Sequence, residues 1–551
     1  MSEIRDKKGE HYTKRNGEEY HNIDSPELSV FGITVKSHAH LVALIDKICP
    51  GIRHTMCFER WMELSCKDFK LLGKIEGRKF LAYGELSKLS REFDINYTTV
   101  QDRVLKAVPP KIISVLRDAI SVPDARKKLN GIKSAIDGIE DIGEIDRRID
   151  NYYAGREYRE SANYDKDHEM AKKYFLFMEQ IAQGGLLTDI ARLVGVSHST
   201  VRRWYNSTIP WMIQLASAIP SEKPIEGYVW LPLKTGPKNN PSNFIQVPLR
   251  IQSHREIEDV VSPLRPLEGE LTKSMRRRFG PTTPIDSFMY ALGSILSDGS
   301  IRLREGTNIR SSSFGMGLGQ EYDWSLDYGD GTCYHLRMLG IDAHRNQDSD
   351  SRESTRSYPS SGSHHWESEA TPFLTWIRET CLGLESSESK TYDSVSADWI
   401  LDSPLDWRVA FLQGICDGDG CASLASQYVS IATTSNTEFF QKLLSTFEVE
   451  SHVGDGAIVV SAHNSIARLA ELDMFRYAAD RKQNLHKLKI MMKTWDHSRQ
   501  MTEDELRRIH ILRKDGMSWG NISETIFDEF GHGWPYYTIS RWARKEYPNL
   551  K

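Results

Sequence analysis

Apolar residues recur at three- and four-residue spacings through most of the first 220 positions, as in LVALIDKI (41–48) and KFLAYGELSKLSREF (79–93). That is the period of helices with one buried face. The pattern predicts a helical block over 37–140 and a second over 141–226, with a charged, tyrosine-rich, partly helical connector at 145–170. Residues 1–36 are polar and read as an arm. The texture changes at GYVWLPLKTGPKNNPSNFIQVPLRI (227–251), where two β-like runs flank a Gly/Pro/Asn-rich turn, so a hairpin is expected within 227–284. From 285 to 498 helix-like and strand-like runs alternate, and 499–551 returns to helical spacing. Within the mixed region, the serine-rich stretch 346–366 predicts an exposed loop and DYGDG (327–331) predicts a turn. The fold class expected is a multidomain α+β chain, with a mixed core flanked by all-α segments.

One pattern occurs twice. Tyr290-Ala-Leu-Gly293-Ser-Ile-Leu-Ser-Asp298-Gly299-Ser300 returns 121 positions later as Phe411-Leu-Gln-Gly414-Ile-Cys-Asp417-Gly-Asp419-Gly420. Each copy has a glycine five residues before an aspartate and another directly after it. Asp-Gly alone is a common turn dipeptide; two copies with matched spacing and apolar lead-ins point to paired helices. Gly293 and Gly414 would let those helices approach closely, since no Cβ holds the backbones apart. Gly299 and Gly420 would end them in left-handed geometry. Asp298 and Asp419 would then project side by side, an arrangement that is costly unless the carboxylates share cations. Mg²⁺, with its preference for oxygen ligands, suits such a pair, and bound metal suits phosphodiester hydrolysis.

LQGICDGDG (412–420) resembles the LAGLIDADG signature, and ALGSILSDG (291–299) is a looser copy with serines at 294 and 297. The resemblance to that homing-endonuclease family spans about 285–495. It implies a pseudo-symmetric αββαββα pair whose sheets form a saddle over duplex DNA, each half cutting one strand to leave short 3′ overhangs. By position it implies that Asp298 and Asp419 are catalytic metal ligands for Mg²⁺ or Mn²⁺. Asp417, matched by Leu296 in the first copy, is then a secondary, helix-end residue. The family places a basic residue near each scissile phosphate: Lys482, in AADRKQNLHKL, and Lys390, in LESSESKTYD, are the candidates.

Three further segments carry a helix-turn-helix pattern. In GGLLTDIARLVGVSHSTVRRWYNSTIPW (184–211), Ile190, Ala191 and Leu193 are expected to pack the first helix. Gly195 permits the turn, Ser197 caps the next helix, and Val201 and Trp204 anchor it. His198, Ser199, Arg202 and Arg203 remain to meet a major groove and its phosphates. ELSKLSREFDINYTTVQDRVLK (85–106) repeats the pattern with Asp94 at the turn, and would expose Tyr97, Thr98, Gln101 and Arg103. The C-terminal stretch resembles a resolvase-type helix-turn-helix, with Gly516 at a turn and Tyr537 and Arg541 on the reader. Tethered together, such modules would recognise a long site.

Composition changes this picture little. The 551 residues hold 71 Lys and Arg against 76 Asp and Glu, so DNA contact must come from local basic faces such as Arg276–Arg278, Arg202–Arg203 and 481–489. Seven cysteines without a CxxC pair read as buried or incidental thiols. The polar start lacks a signal-peptide core, and no apolar run approaches a membrane span, so a cytoplasmic protein is expected. No phosphate-binding glycine loop appears, so no nucleotide is expected. The start and end lack the splicing residues of an intein. The reading is a monomeric, double-strand DNA endonuclease. Its rivals are a non-cleaving transcription regulator, disfavoured by the presence of both acids, and an RNA-splicing maturase, disfavoured by the helix-turn-helix segments.

Overall fold

The computed structural model describes residues 11–13, 19–22, 24–48, 52–53, 58–82, 84–136, 138–235, 241–303, 311–346, 362–384, 394–494 and 500–546. The chain forms two compact units, one of residues 1–149 and 159–218, the other of 150–158 and 219–551. None of the described helices is long and apolar enough to cross a membrane.

The first unit is mainly helical. Its opening stretch is not a free arm: His11–Thr13 pairs with Glu19–Asn22, which pairs with Phe80–Ala82, and Val30 and Val35 are buried among Leu41, Ile45 and Ile112. The connector is largely helix, Ile142–Asp150 and then Tyr164–Gln183. Helices Leu187–Val194 and His198–Tyr205 meet at Gly195, whose φ of 72° is left-handed and suits glycine. Ser197 caps the second by accepting from the Thr200 amide at 3.2 Å. Trp204 is buried against Tyr174 and Phe177. One packing expectation is corrected: Leu193 is 60% exposed, because Leu187, Ile190, Ala191 and Val194 occupy the inward face. In the pair Glu85–Phe93 and Tyr97–Val104, Asp94 adopts the left-handed turn and Asn96 is the cap. Arg103 there is buried rather than exposed, since its guanidinium pairs with buried Asp68 at 3.2 Å.

The second unit holds the mixed core. Tyr228–Thr235 and Pro241–Pro248 form the expected hairpin. Then come α1 (Pro284–Leu296), β1 (Gly299–Leu303), β2 (Ser312–Gly319), α2 (Ser325–Met338), β3 (Ala343–Arg345), β4 (Ser363–Ser368) and α3 (Pro372–Trp376). A second series follows: α4 (Leu405–Asp419), β5 (Gly420–Ser423), β6 (Tyr428–Ala432), α5 (Thr437–Ser445), β7 (His452–Gly454), β8 (Ala457–Val460) and α6 (His463–Glu471). Both series make a four-stranded antiparallel sheet of the same strand order, β1-β2-β4-β3 and β5-β6-β8-β7. The chain continues through α7 (Ala479–Thr494) into three short helices, α8 (Glu503–Lys514), α9 (Trp519–Phe530) and α10 (Tyr536–Glu546).

Two local expectations change. DYGDG is not a turn but lies within α2. Its glycines leave room for rings: a Cβ on Gly329 would stand 2.3 Å from the Trp366 indole, and one on Gly331 2.4 Å from Tyr477. Of the predicted loop, 347–361 lies outside the described residues, whereas 363–366 belongs to β4 because Trp366 is drawn into that socket.

Helices α1 and α4 form the centre of the core. Ten of the thirteen α1 residues are buried, including Phe288, Met289, Tyr290 and Leu292. The two helices cross at their glycines. A Cβ on Gly293 would sit 2.2 Å from the Phe411 carbonyl oxygen, and one on Gly414 2.2 Å from that of Tyr290. Each glycine's Cα is also among the other's nearest neighbours, so backbone meets backbone. No flexible side-chain tip is there to give way. We expect Gly293→Ala or Gly414→Ala to cost about 3 kcal/mol through overpacking. Thermal denaturation should show a Tm lowered by roughly 10 °C, and an unchanged Tm would mean that the crossing is looser than described.

Candidate active site

The ends of α1 and α4 meet at one place. Thr283 caps α1 by accepting from the Asp286 amide at 3.1 Å, with Pro284 in the first turn. At the other end, Asp298 follows α1 by two residues, and Asp419 is the last residue of α4. Both carboxylates are half-buried. The residues before them touch: the Ser297 hydroxyl lies 3.2 Å from the Gly414 carbonyl oxygen and 2.8 Å from the Tyr328 hydroxyl. A Cβ on Gly418 would come within 2.5 Å of Ser297 Oγ. Burial, and next the Asp298 charge, push the Tyr328 phenol well above its ordinary pKa. Asp419 opens onto a cavity of about 240 Å³ shared with Leu296, Ser297, Thr433, Thr434 and Asn436.

Gly299 and Gly420 are required for space rather than for left-handed backbone. Gly420 has φ −81°, and Gly299 is also outside the positive-φ set. A Cβ on Gly299 would lie 2.6 Å from the Ser294 carbonyl oxygen, and one on Gly420 2.5 Å from that of Cys416. Each strand therefore turns back directly over the helix that precedes it.

Asp417 has a structural position deeper than a helix end. Fully buried, it accepts from the Tyr290 hydroxyl at 2.7 Å and from the amides of Arg476, Tyr477 and Ala478 at 2.9, 3.0 and 3.1 Å. Burial raises its pKa, and these donors oppose that rise. One carboxylate thus joins α4 to α1 and to the segment leading into α7.

Arg481, which sequence reasoning passed over in favour of its neighbour, caps α4. Its Nη1 donates to the carbonyl oxygens of Asp417 and Gly418, both at 2.7 Å, with that of Cys416 at 3.2 Å. Its guanidinium lies 4.0 Å over the Trp324 ring. A cation at a helix C-terminus offsets the negative end of the helix dipole, here immediately before Asp419. The only sequence signal for it was its place in the basic run. Lys482 points its Nζ to Asp473 at 2.5 Å. Lys390 lies outside the described residues.

A second polar cluster went unread. Arg476 makes a two-pronged pair with Asp286 at 2.8 and 2.9 Å and donates to Gln413 Oε1 at 2.7 Å. Burial works to raise the Asp286 carboxyl, but Arg476 overrules it and holds the group below the usual range. His335 is buried beside this pair, with Nδ1 3.1 Å from Ser287 Oγ and Nε2 2.9 Å from the Tyr477 hydroxyl. Burial first, and then the Arg476 charge, lower its pKa to about 3.

The residues expected to meet DNA outside the core are placed separately. Ser199, Arg202 and Arg203 are exposed, while His198 is half-buried with Nε2 3.3 Å from Asp118. Tyr537 is 53% exposed and Arg541 is exposed, both on α10. Cys333, Cys381 and Cys416 are buried thiols, as expected. Among the described residues, no three His, Cys, Asp or Glu side chains group closely enough to hold a metal ion by themselves.

Residues 406–469, which run from α4 into α6, match the family described as LAGLIDADG-like domain. The match marks this stretch, within the second helix–sheet series, as similar to a LAGLIDADG-like domain. Solved structures of the homing endonuclease I-DmoI are similar over about a third of the chain. One, of mesophilic variants, is 14% identical, covers 34% of this chain and 95% of that one, and has a TM-score of 0.24. A complex of I-DmoI with DNA and Ca is 14% identical over 36% and 98% of the two chains, with a TM-score of 0.26. A complex with DNA and Mn is 11% identical over 34% and 96%, with a TM-score of 0.24. No curated protein matches the chain.

The buried histidine gives a pH signature. An unfolded histidine takes its proton near pH 6.5, whereas folded His335 resists it down to about pH 3. Between these values the unfolded state binds more protons, so stability is full above about pH 6.5 and falls as pH drops. The Asp286 pair, with its depressed carboxyl, adds a further loss only below about pH 4. His335→Gln should remove up to about 1.4 kcal/mol per pH unit of this slope. Urea unfolding between pH 7 and 4.5 measures it, and equal slopes for variant and parent would refute the assignment.

Proposed function

We propose that the chain is a site-specific double-strand DNA endonuclease of homing type, active with Mg²⁺ or Mn²⁺. One observation carries this reading: a helix–sheet unit occurs twice with the same strand order, and its two helices cross at glycines so that Ser297 and Gly418, the residues before Asp298 and Asp419, are in contact. Two sheets related by pseudo-symmetry match a duplex, whose strands are themselves related by two-fold symmetry. The same relation lets a monomer address both scissile phosphates.

The donor set fits a magnesium-type cation. Such ions are commonly held by one or two carboxylates, with phosphate oxygens and water completing the shell. Two half-buried carboxylates correspond to that economy. Bound there with DNA, the cation would polarise the phosphate and favour ionisation of the attacking water. The chain's own contribution is placement. Asp298 and Asp419 hold the ions, Ser297 and Gly418 fix their spacing, and Arg481 keeps the α4 carbonyls occupied so that only the carboxylate is offered. Lys482 is assigned to one scissile phosphate and Lys390 to the other.

In this reading, 184–211, 85–106 and the C-terminal helices are helix-turn-helix readers. His198, Ser199, Arg202, Arg203, Tyr537 and Arg541 contact DNA and lengthen the target, in a cytoplasmic protein. A cutter needs a long site because a short one recurs throughout a genome.

Cleavage of a randomised-target plasmid library with Mg²⁺ or Mn²⁺ tests the proposal. Double-strand cuts at one long site should fall by on the order of 100-fold or more in both Asp298→Asn and Asp419→Asn, since even outer-shell changes at metal sites cost 10–100-fold. Specific binding without cutting, unchanged in either variant, would leave a regulator built on this fold.

A further inference from the structure

The last three helices are docked on the core rather than hung from it. They have their own interior, with Ile509, Leu512, Ile522, Ile526, Trp534 and Ile539 buried together. Yet their contacts with the second half are close and varied. Lys487 of α7, three-quarters buried, pairs with Glu524 at 2.9 Å and Asp528 at 2.8 Å on α9. The Gly533 amide donates to Thr494 Oγ1 at 3.1 Å, and a Cβ on Gly533 would strike the Met491 carbonyl oxygen at 2.4 Å. The turn between β5 and β6 also takes part. The Tyr536 amide donates to the Ala425 carbonyl oxygen at 3.2 Å, and a Cβ on Gly520 would lie 2.7 Å from Ala425 Cβ. Phe527 packs against the main core.

These contacts fix where α10 starts. Its first residue is bonded to the tip of the second sheet's leading turn. The next, Tyr537, is 53% exposed, and Arg541 follows one helical turn later on the same side, also exposed. An aromatic ring and a guanidinium four residues apart suit a duplex backbone and groove. We propose that α8–α10 form a rigid extension of the second half's DNA surface, so that Tyr537 and Arg541 contact the same duplex in a fixed helical phase. This rests on the endonuclease reading for the core's DNA contact, but needs no cleavage. In this arrangement the C-terminal module keeps a fixed distance from the core site.

Hydroxyl-radical footprinting of the full chain on its selected target, with Ca²⁺ to suppress cutting, reads this directly. The expected result is a flanking block of protection on the side of the second half, lost in Tyr537→Ala/Arg541→Ala while the core block persists. Affinity should fall about tenfold. Inserting five base pairs, about half a turn, between the two blocks in the DNA should abolish the flanking block. Protection that follows the insertion, or survives the double substitution, would overturn the inference, as would a footprint confined to the core. Loss of cutting in the aspartate variants is scored separately, so a chain that binds without cleaving still decides this question.

Discussion

The contact between Gly293 and Gly414 is the constraint on which the second unit depends. With backbones in touch at that crossing, the positions of every residue beyond it on α1 and α4 are set within narrow limits. Ser297 reaches the Gly414 carbonyl, and Gly418 clears Ser297, so the residues that lead into the two aspartates are in contact. A larger residue at either glycine would part the helices at the point where their ends need to converge. The sheets follow suit: β1 and β5 fold back over their helices through Gly299 and Gly420, which have no room for a side chain.

Burying two helices this deeply creates a problem of polar groups, and the solutions differ at the two ends. Towards the α1 start, the Arg476 side chain meets Asp286 and Gln413, while its backbone amide meets Asp417, so these charges are taken into the interior paired. At the α4 end, the carbonyls that a helix leaves without intrahelical partners are met by Arg481, itself steadied over Trp324 from the first half. At the α1 end, the Ser297 hydroxyl lies 3.2 Å from the Ser294 carbonyl oxygen and 2.8 Å from the Tyr328 hydroxyl.

How much of this could be read from sequence depended on how local its cause is. The crossing helices were legible because the glycine-to-aspartate spacing occurs twice, and the hairpin at 228–248 because its turn residues are contiguous. The cap at Ser197 and the left-handed Gly195 were legible for the same reason. What was missed has distant causes. DYGDG reads as a turn unless Trp366 and Tyr477 are known to need the space its glycines leave. Arg103 reads as exposed without Asp68, and Leu193 as inward until Val194 takes that slot. Arg476 and His335 carry no motif at all, since their partners lie 190 and 48 residues away.

That 190-residue interval between Asp286 and Arg476 bears on how the protein is made. A ribosome adding about 5–20 residues per second needs roughly 10–40 s to cover it. For the first part of that time α1 has emerged with ten of its thirteen residues destined for burial while α4, which ends at Asp419, is not yet complete. The nascent chain must carry an apolar helix without its mate and an unpaired acid at its start. Synthesis of this protein thus includes a waiting period in which the apolar faces of α1 lack the helix they pack on in the finished fold.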